Sequence, residues 1–290
     1  MLTLNYPKRQ SIDMSRNLFK LYHMAKNTEE NDITFNLSRT ESLTPFGIIV
    51  LTSTISECLR QGKQCAYLEP QDATLKEFLT DTGFTKHFGL NSQSPQWDSI
   101  QTGRVQLRKI PGVDPDFIET MTDIFDYHLN ISPGVKGSLR MSLIETMINV
   151  VDHSEVKDYY VCAWTYPEKR QIRLCIADLG IGILASLKTS SDHSTLNDDY
   201  QAIRKSIEPG VSCRSGRDGM GLSHIRNFIK VNEGQMCIIS GDGKVFWKFD
   251  QGKTLNQNMP VPFNGTIVKL LINIDKEGFY FLSDEKDYLF

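Results

Sequence analysis

The order of strand-type and helix-type segments is the feature that most constrains the fold of this chain. Residues 33–38 alternate apolar and polar side chains, as a half-buried strand does. An apolar stretch then runs from Pro45 to Gly62, and proline near a helix start with glycine after its end is typical of a capped helix. Another strand-type segment (64–70) and another helix-type segment (73–90) follow. This pattern predicts a β-α-β-α unit.

A polar segment without periodicity, residues 91–99, separates this unit from a longer one. The longer one is predicted to contain, in order, a strand (104–110), two helices (116–129 and 135–156), two strands (158–166 and 171–177), a polar loop (184–215), a helix (219–231) and three strands (235–240, 244–249 and 265–274). This order predicts a mixed α/β (α+β) fold with a mostly antiparallel sheet, covered on one face by helices. We therefore divide the chain into a lead with a helix (1–30), the β-α-β-α unit (31–92), a second domain (100–275) and a tail (276–290).

Composition excludes several classes of protein. The chain has 290 residues, 40% of them hydrophobic and 23% charged, which is ordinary for globular proteins and not for disordered ones. Its net charge of −3 lacks the basic excess of nucleic-acid-binding proteins. No apolar run approaches the roughly 18 to 20 residues that span a bilayer, and no signal peptide is evident. We expect a cytoplasmic protein whose six scattered cysteines are reduced thiols.

Glu145, Asn149 and His153 are spaced by four residues in a helix-type segment. Each step of four advances only about 40° around a helix, so the three side chains share one face. A carboxamide oxygen suits Mg²⁺, and a carboxylate one turn away can orient or deprotonate a nucleophile. A solvated polar helix face is the alternative.

Two glycine-containing segments could also bind a ligand. A strand-type segment runs into Asp178-Leu-Gly180-Ile-Gly182, where the aspartate could accept a hydrogen bond from an exocyclic amine and the glycines would admit a flat ring. A simple Asx turn is the alternative. Further on, Gly219-Met-Gly221 opens an amphipathic helix, and glycines at a helix N-terminus leave backbone N–H groups free to bind an anion.

A fourth segment, Asn264-Gly265-Thr266, precedes an apolar strand and would alone be read as a turn. The four segments together, in this order, resemble the GHKL ATPase superfamily, whose members include gyrase-type topoisomerases, heat-shock chaperones, histidine kinases and MutL proteins. The resemblance covers about residues 100–275. The spacing of Glu145, Asn149 and His153 most resembles that of the anti-sigma-factor serine kinases.

The resemblance implies a Bergerat-type ATP site with ATP and Mg²⁺ as cofactors. It implies that Asn149 holds the metal, that Glu145 is the general base and that Asp178 binds the adenine amine. Residues 184–218 would form the ATP lid. The remaining implied nucleotide-binding residues are Gly180, Gly182, Gly219, Met220, Gly221, Leu222 and Thr266. The sequence leaves open the roles of His153, Arg214 and Arg217.

The first unit resembles a STAS domain, the anti-anti-sigma fold, in its order of elements. That family carries Asp-Ser-Ser-Gly at the start of a helix, with the first serine as phosphate acceptor. Alignment on Gly47 places Thr44, Pro45 and Phe46 at the three preceding positions. Thr44 could accept a phosphate, but helix capping is the favoured interpretation.

The resemblances imply a regulatory protein in which ATP hydrolysis or ATP-gated switching controls a protein partner, in stress signalling or a defence-type system. A serine/threonine protein kinase and a non-catalytic interaction module stabilised by nucleotide remain the alternatives. The resemblance also implies a possible homodimer, because many members of the superfamily pair through this domain. We expect the acidic aromatic tail to pack back onto the sheet of the second domain rather than to anchor a partner.

Overall fold

A computed structural model describes residues 1–9, 15–87, 99–153, 158–211, 221–275 and 277–282. It confirms a mixed α/β fold, with one parallel and one antiparallel sheet. The described helices are α1 (Ser15–Asn27), α2 (Pro45–Arg60), α3 (Ala73–Asp81), α4 (Phe84–His87), α5 (Ser99–Thr102), α6 (Pro115–His128), α7 (Pro133–His153), α8 (Gly182–Leu187), α9 (Asp199–Ser206) and α10 (Gly221–Val231). The strands are β1 (Leu2–Asn5), β2 (Asp32–Asn36), β3 (Gln64–Leu68), β4 (Arg104–Pro111), β5 (Asp158–Tyr166), β6 (Gln171–Asp178), β7 (Gln235–Lys248) and β8 (Lys253–Asn273).

The N-terminal sheet is three-stranded and parallel, in the order β1-β2-β3. Ile33 of β2 lies opposite Leu2 on one side and Cys65 on the other. The lead, for which the sequence predicts only a helix, therefore also contributes a strand. Helix α2 begins as its sequence indicates, because the Thr44 side chain accepts a hydrogen bond from the backbone N–H of Gly47 (3.3 Å).

The second sheet has the strand order β4-β5-β6-β8-β7 and is antiparallel. Strand β7 has 14 residues and would be roughly 45 Å long if straight. Its ends nevertheless meet, because the backbone N–H of Phe249 donates to the carbonyl of Gly234 (3.1 Å). The strand folds back at the register breaks between Ser240 and Gly243, where Gly241 has a φ of 57°. Its two halves correspond to the two strands predicted there.

Helices cover both faces of this sheet, so the prediction of one covered face was wrong. Ile176 faces a core formed with α6, α7 and α10, whereas its neighbours Cys175 and Ala177 face a core formed with α1 and α2. Six of the eight residues of β6 are buried, because a strand between two helical layers has no solvated face. The N-terminal unit therefore packs directly against the second domain.

In the described part of the tail, Tyr280 packs against the second domain, at the turn before α7 and at α10. Tyr280 exchanges backbone hydrogen bonds with the turn before α7, donating to Asn130 and accepting from Ser132 (both 2.8 Å). Its ring lies 5.6 Å from that of Phe228 on α10. In the described ranges, none of the helices combines the length and apolar character that a membrane span requires.

Lys63 stabilises the end of α1, which gives a first prediction. Its buried Nζ donates to three backbone carbonyls, of Ala25 (2.9 Å), Lys26 (3.2 Å) and Thr28 (2.9 Å). Lys63→Met would leave these acceptors without their donor, and we expect it to lower the free energy of unfolding by about 3 kcal/mol in urea titrations. Lys20→Met, at an exposed position of α1, is the matched control. Equal losses in the two variants would contradict this role.

Candidate functional site

Asp178 ends β6 in a turn that buries its carboxyl group. The backbone N–H of Gly180 donates to Asp178 Oδ1 (2.8 Å), so the Asx turn that the sequence offers as the alternative interpretation is present. Only 6% of Asp178 is exposed. A buried carboxylate needs a polar partner, because it has lost the hydration that it would have at the surface.

Burial raises the pKa of the Asp178 carboxyl to about 6, against the opposing effect of hydrogen bonds from the backbone N–H groups of Gly180 and Thr266. In the described ranges no cationic side chain contributes to this pKa. The carboxylate is therefore a hydrogen-bond acceptor held in apolar surroundings without a counter-ion. Such a group can accept a hydrogen bond from a ligand, for example from an amine, and that bond would lower its pKa.

Two glycines let the backbone close around Asp178. Gly265 has a φ of 103°, and a Cβ added to it would lie 2.2 Å from the carbonyl oxygen of Asp178. Gly182 has a φ of 79°, and its added Cβ would lie 2.9 Å from Ser240 Oγ. No side chain fits at either position without displacing its neighbours, so both glycines are required by the packing of this turn. Gly265 lies within β8, at an irregularity of the strand and not in a hairpin turn.

Ser240 joins the three elements of this cluster, and the sequence analysis missed it. Its buried hydroxyl donates to the Gly265 carbonyl (3.0 Å), accepts from the backbone N–H of Ile183 (2.8 Å) and lies 3.3 Å from Thr266 Oγ1. It therefore connects the start of α8 to β8 through β7. In the sequence, Ser240 is simply the last residue of a predicted strand (235–240), followed by Gly241.

A second cluster lies where α10 meets α7. A Cβ added to Gly221, the first residue of α10, would lie 2.7 Å from Glu145 Cβ and 3.0 Å from Glu145 Oε2. The start of the glycine-rich helix thus contacts the predicted carboxylate. The first backbone N–H groups of any helix have no partner within the helix and can donate hydrogen bonds to an anion. This contact therefore places Glu145 beside N–H groups that could bind an anion. Leu222 is partly buried against the helical core.

Several predicted residues lie outside the described part of the chain. Asn149 and His153 are on α7, the first one turn after Glu145, but their side chains are outside it. The others outside it are Gly219, Met220, Arg214 and Arg217.

Helix α7, which carries Glu145, is followed in the chain by the strand that pairs with the end of β6. Helix α7 ends at His153 and β5 begins at Asp158, and a connection of this length spans at most about 18 Å. The next residue of β5, Tyr159, pairs with Asp178. The C-terminal end of α7 therefore leads to the strand end that carries Asp178, and Glu145 lies about two turns before that end.

The segment predicted as a lid, 184–218, contains regular structure in its described part. Helix α9 packs against the turn of β7, where Asp199 Oδ2 accepts from the backbone N–H of Asp242 (3.0 Å). Gly243 has no room for a side chain there, because an added Cβ would lie 2.6 Å from the Tyr200 nitrogen. The absence of periodicity in the sequence did not indicate this helix. Residues 212–218 lie outside the described part.

In the described residues, no group of three or more histidines, cysteines, aspartates or glutamates could hold a metal ion. Any divalent cation near Glu145 would therefore need further oxygen ligands, such as the carboxamide of Asn149 or the phosphates of a ligand. In comparisons with known proteins, no family model and no curated protein matches this chain.

Proposed function

We propose that this chain binds Mg-ATP as a GHKL-type protein with a STAS-like N-terminal unit, and that ATP hydrolysis or ATP-gated switching controls a protein partner. One observation carries the proposal. Asp178 is a buried acceptor without a counter-ion in the described ranges, enclosed by glycines at the strand end to which the Glu145 helix leads in the chain. An adenine ring is flat, so it could lie beside the glycines, and its exocyclic amine could donate a hydrogen bond to Asp178.

Each predicted residue would then have a distinct task. Asp178 would accept the adenine amine beside Gly182 and Thr266. The N-terminus of α10 at Gly221 would bind phosphate oxygens through its backbone N–H groups. Glu145, in contact with that N-terminus, would orient a water molecule and accept its proton. When bound, Mg²⁺ held through Asn149 would neutralise charge on the phosphates.

A contact between the two parts of the chain supports switching. Phe263 lies two residues before Gly265 and packs against α1, 5.7 Å from the ring of Phe19 and 5.1 Å from that of Tyr22. The Tyr22 hydroxyl also accepts a hydrogen bond from the backbone N–H of Asn264 (3.4 Å). A nucleotide that moved Gly265 would therefore displace groups in direct contact with the N-terminal unit.

The role of Thr44 bears on the kinase alternative. Its hydroxyl caps α2 by accepting from the backbone N–H of Gly47. This is the capping role that the sequence favours for Thr44, and we therefore favour hydrolysis or switching over self-phosphorylation at this residue.

Turnover of γ-labelled ATP tests the proposed chemistry. We expect the wild-type protein to release free phosphate and Glu145→Gln to reduce the rate by at least about 100-fold while nucleotide still binds, because the general base is lost. Glu119→Gln, an exposed carboxylate on α6, is the matched control. Full turnover in Glu145→Gln would exclude Glu145 as the base, and label on a protein in place of free phosphate would favour the kinase alternative.

A further inference from the structure

Ser240 lies on the same face of the antiparallel sheet as Asp178. Three apolar residues that pair across β6, β8 and β7 face the core formed with α6, α7 and α10, namely Ile176, Val268 and Ile238. Side chains two residues apart on a strand share a face. Asp178, Thr266 and Ser240 each lie two residues further along, so they form the next row on this face.

The Ser240 hydroxyl uses its whole hydrogen-bonding capacity in this row. A hydroxyl group offers one donor and two acceptor lone pairs. The Ser240 hydroxyl donates to the Gly265 carbonyl (3.0 Å) and accepts from the backbone N–H of Ile183 (2.8 Å). Its other acceptor position is available to the Thr266 hydroxyl, 3.3 Å away. Because Ser240 is fully buried, removing its hydroxyl would leave these partners unpaired in the protein interior.

The bond to Ile183 caps helix α8, which lacks a capping side chain of its own. This helix begins at Gly182, and the residue before it, Ile181, makes no side-chain cap bond. Ile183 is the second helical residue, whose N–H group a capping side chain usually binds. Ser240 supplies that acceptor from another strand. The turn that begins at Asp178 is therefore attached to β7 where it enters the helix.

We propose that Ser240 is a positioning residue for the base of a bound nucleotide, because it holds the turn from Asp178 to Gly182 against Gly265. The inference rests on the proposed nucleotide site and adds the residue that sets the shape of its base-binding end. In the described residues, the hydrogen bonds of Ser240 go to the segments around Asp178 and not to α7 or α10. Loss of Ser240 should therefore weaken contacts with the base and leave phosphate binding at α10 unchanged.

Titration calorimetry with two probes tests the proposal in the presence of Mg²⁺. One probe is ATP, and the other is inorganic tripolyphosphate, which carries phosphates but no base. We expect Ser240→Ala to weaken ATP binding by at least about tenfold and to change tripolyphosphate binding by less than about twofold. A merely structural role would weaken the binding of both probes equally.

Ser53→Ala is the matched control variant. Ser53 is also fully buried, on α2, but its hydroxyl has no hydrogen-bond partner in the part of the chain that the structure describes. We expect this variant to bind both probes as the wild type does. Weaker ATP binding in Ser53→Ala, by the same factor as in Ser240→Ala, would overturn the role of the Ser240 hydrogen bonds.

Failure of this inference differs from failure of the proposed function. If the wild type binds ATP and Ser240→Ala binds it equally well, or loses both probes equally, the positioning role is overturned and the nucleotide site stands. If the wild type binds neither probe, both are overturned.

Ser240→Cys keeps the test decisive if the alanine variant does not fold. Its side chain has a similar shape, and its thiol is a weaker donor and acceptor than a hydroxyl. We expect it to weaken ATP binding more than tripolyphosphate binding, and wild-type affinity for ATP in this variant would overturn the proposal. Circular dichroism checks that each variant is folded.

Discussion

Replacing Asp178 by asparagine is expected to weaken adenine-nucleotide binding by at least about tenfold and at the same time to stabilise the free protein at neutral pH. The carboxylate offers a charged acceptor to the adenine amine, whereas the asparagine amide would present a donor in its place. Titration calorimetry with ATP and Mg²⁺ measures the first effect. Asp81→Asn is the control, because burial also raises the pKa of Asp81, on the last turn of α3. Equal affinities for wild type and Asp178→Asn would contradict the adenine contact.

The stabilising effect of Asp178→Asn has a defined pH dependence. Burial raises the pKa of Asp178 from 3.8 to about 6, so the folded wild-type protein binds this proton more tightly than the unfolded chain does. The associated stability is fully present below pH 3.8 and is lost as the pH rises through about 6. Asparagine does not ionise, so the variant should gain up to about 3 kcal/mol relative to wild type at pH 7, with little gain at pH 3.5. Urea unfolding at both pH values measures the difference.

Gly265→Ala is expected to be the most damaging single substitution at the site, costing about 3 kcal/mol or more in the free energy of unfolding. The added methyl group would lie 2.2 Å from the Asp178 carbonyl oxygen and 2.8 Å from the Gly180 nitrogen, and both are backbone atoms. Because neither can move without displacing the turn, the variant should also lose nucleotide binding. Thermal and urea unfolding measure the loss.

Gly252→Ala is the matched control for this substitution. Gly252 precedes β8 and also has a positive φ, of 61°, but a Cβ added there meets nothing within 4 Å. It therefore isolates the cost of the left-handed backbone conformation, about 1 to 2 kcal/mol. If the two alanine variants lost equal stability, the close approach between Gly265 and Asp178 would have no energetic consequence.

The sequence predicts most of the larger elements, because their periodicity and their ends are both clear. Helix α2 is an example, with Pro45 in its first turn and Gly62 just after its end. Strand β1 was missed because it has four residues, of which only Leu4 is buried. Its place in the sheet depends on pairing with β2, which lies about 30 residues further on, and local patterns do not report such pairing.

Helix α9 was missed for a related reason. It has eight residues, and only Ala202 and Ile203 are buried, so its sequence resembles a polar loop. What holds it in place is specific to the tertiary structure, namely the hydrogen bond from Asp242 to Asp199 and the close approach at Gly243. The covering of both faces of the antiparallel sheet was also missed, because its strands do not indicate which helices lie on each face.

At the candidate site, the sequence predicts those residues whose type is unusual for the segment in which they lie. An aspartate at the end of an apolar strand, as at Asp178, and glycines at a helix start, as at Gly221, are such signals. Ser240 could not be recognised in this way, since a buried serine that joins three elements has no local signature. The contact between Gly221 and Glu145 joins positions far apart in the chain and required the fold.

Hydrogen–deuterium exchange with and without ATP and Mg²⁺ tests the central claim most directly, because it reports where a ligand binds. The account predicts slower exchange, together, in α7 around Glu145, in the turn from Asp178 to Gly182 and at the start of α10, with no change around Lys63. Unchanged exchange in all three segments at saturating ATP, or protection confined to other parts of the chain, would contradict it.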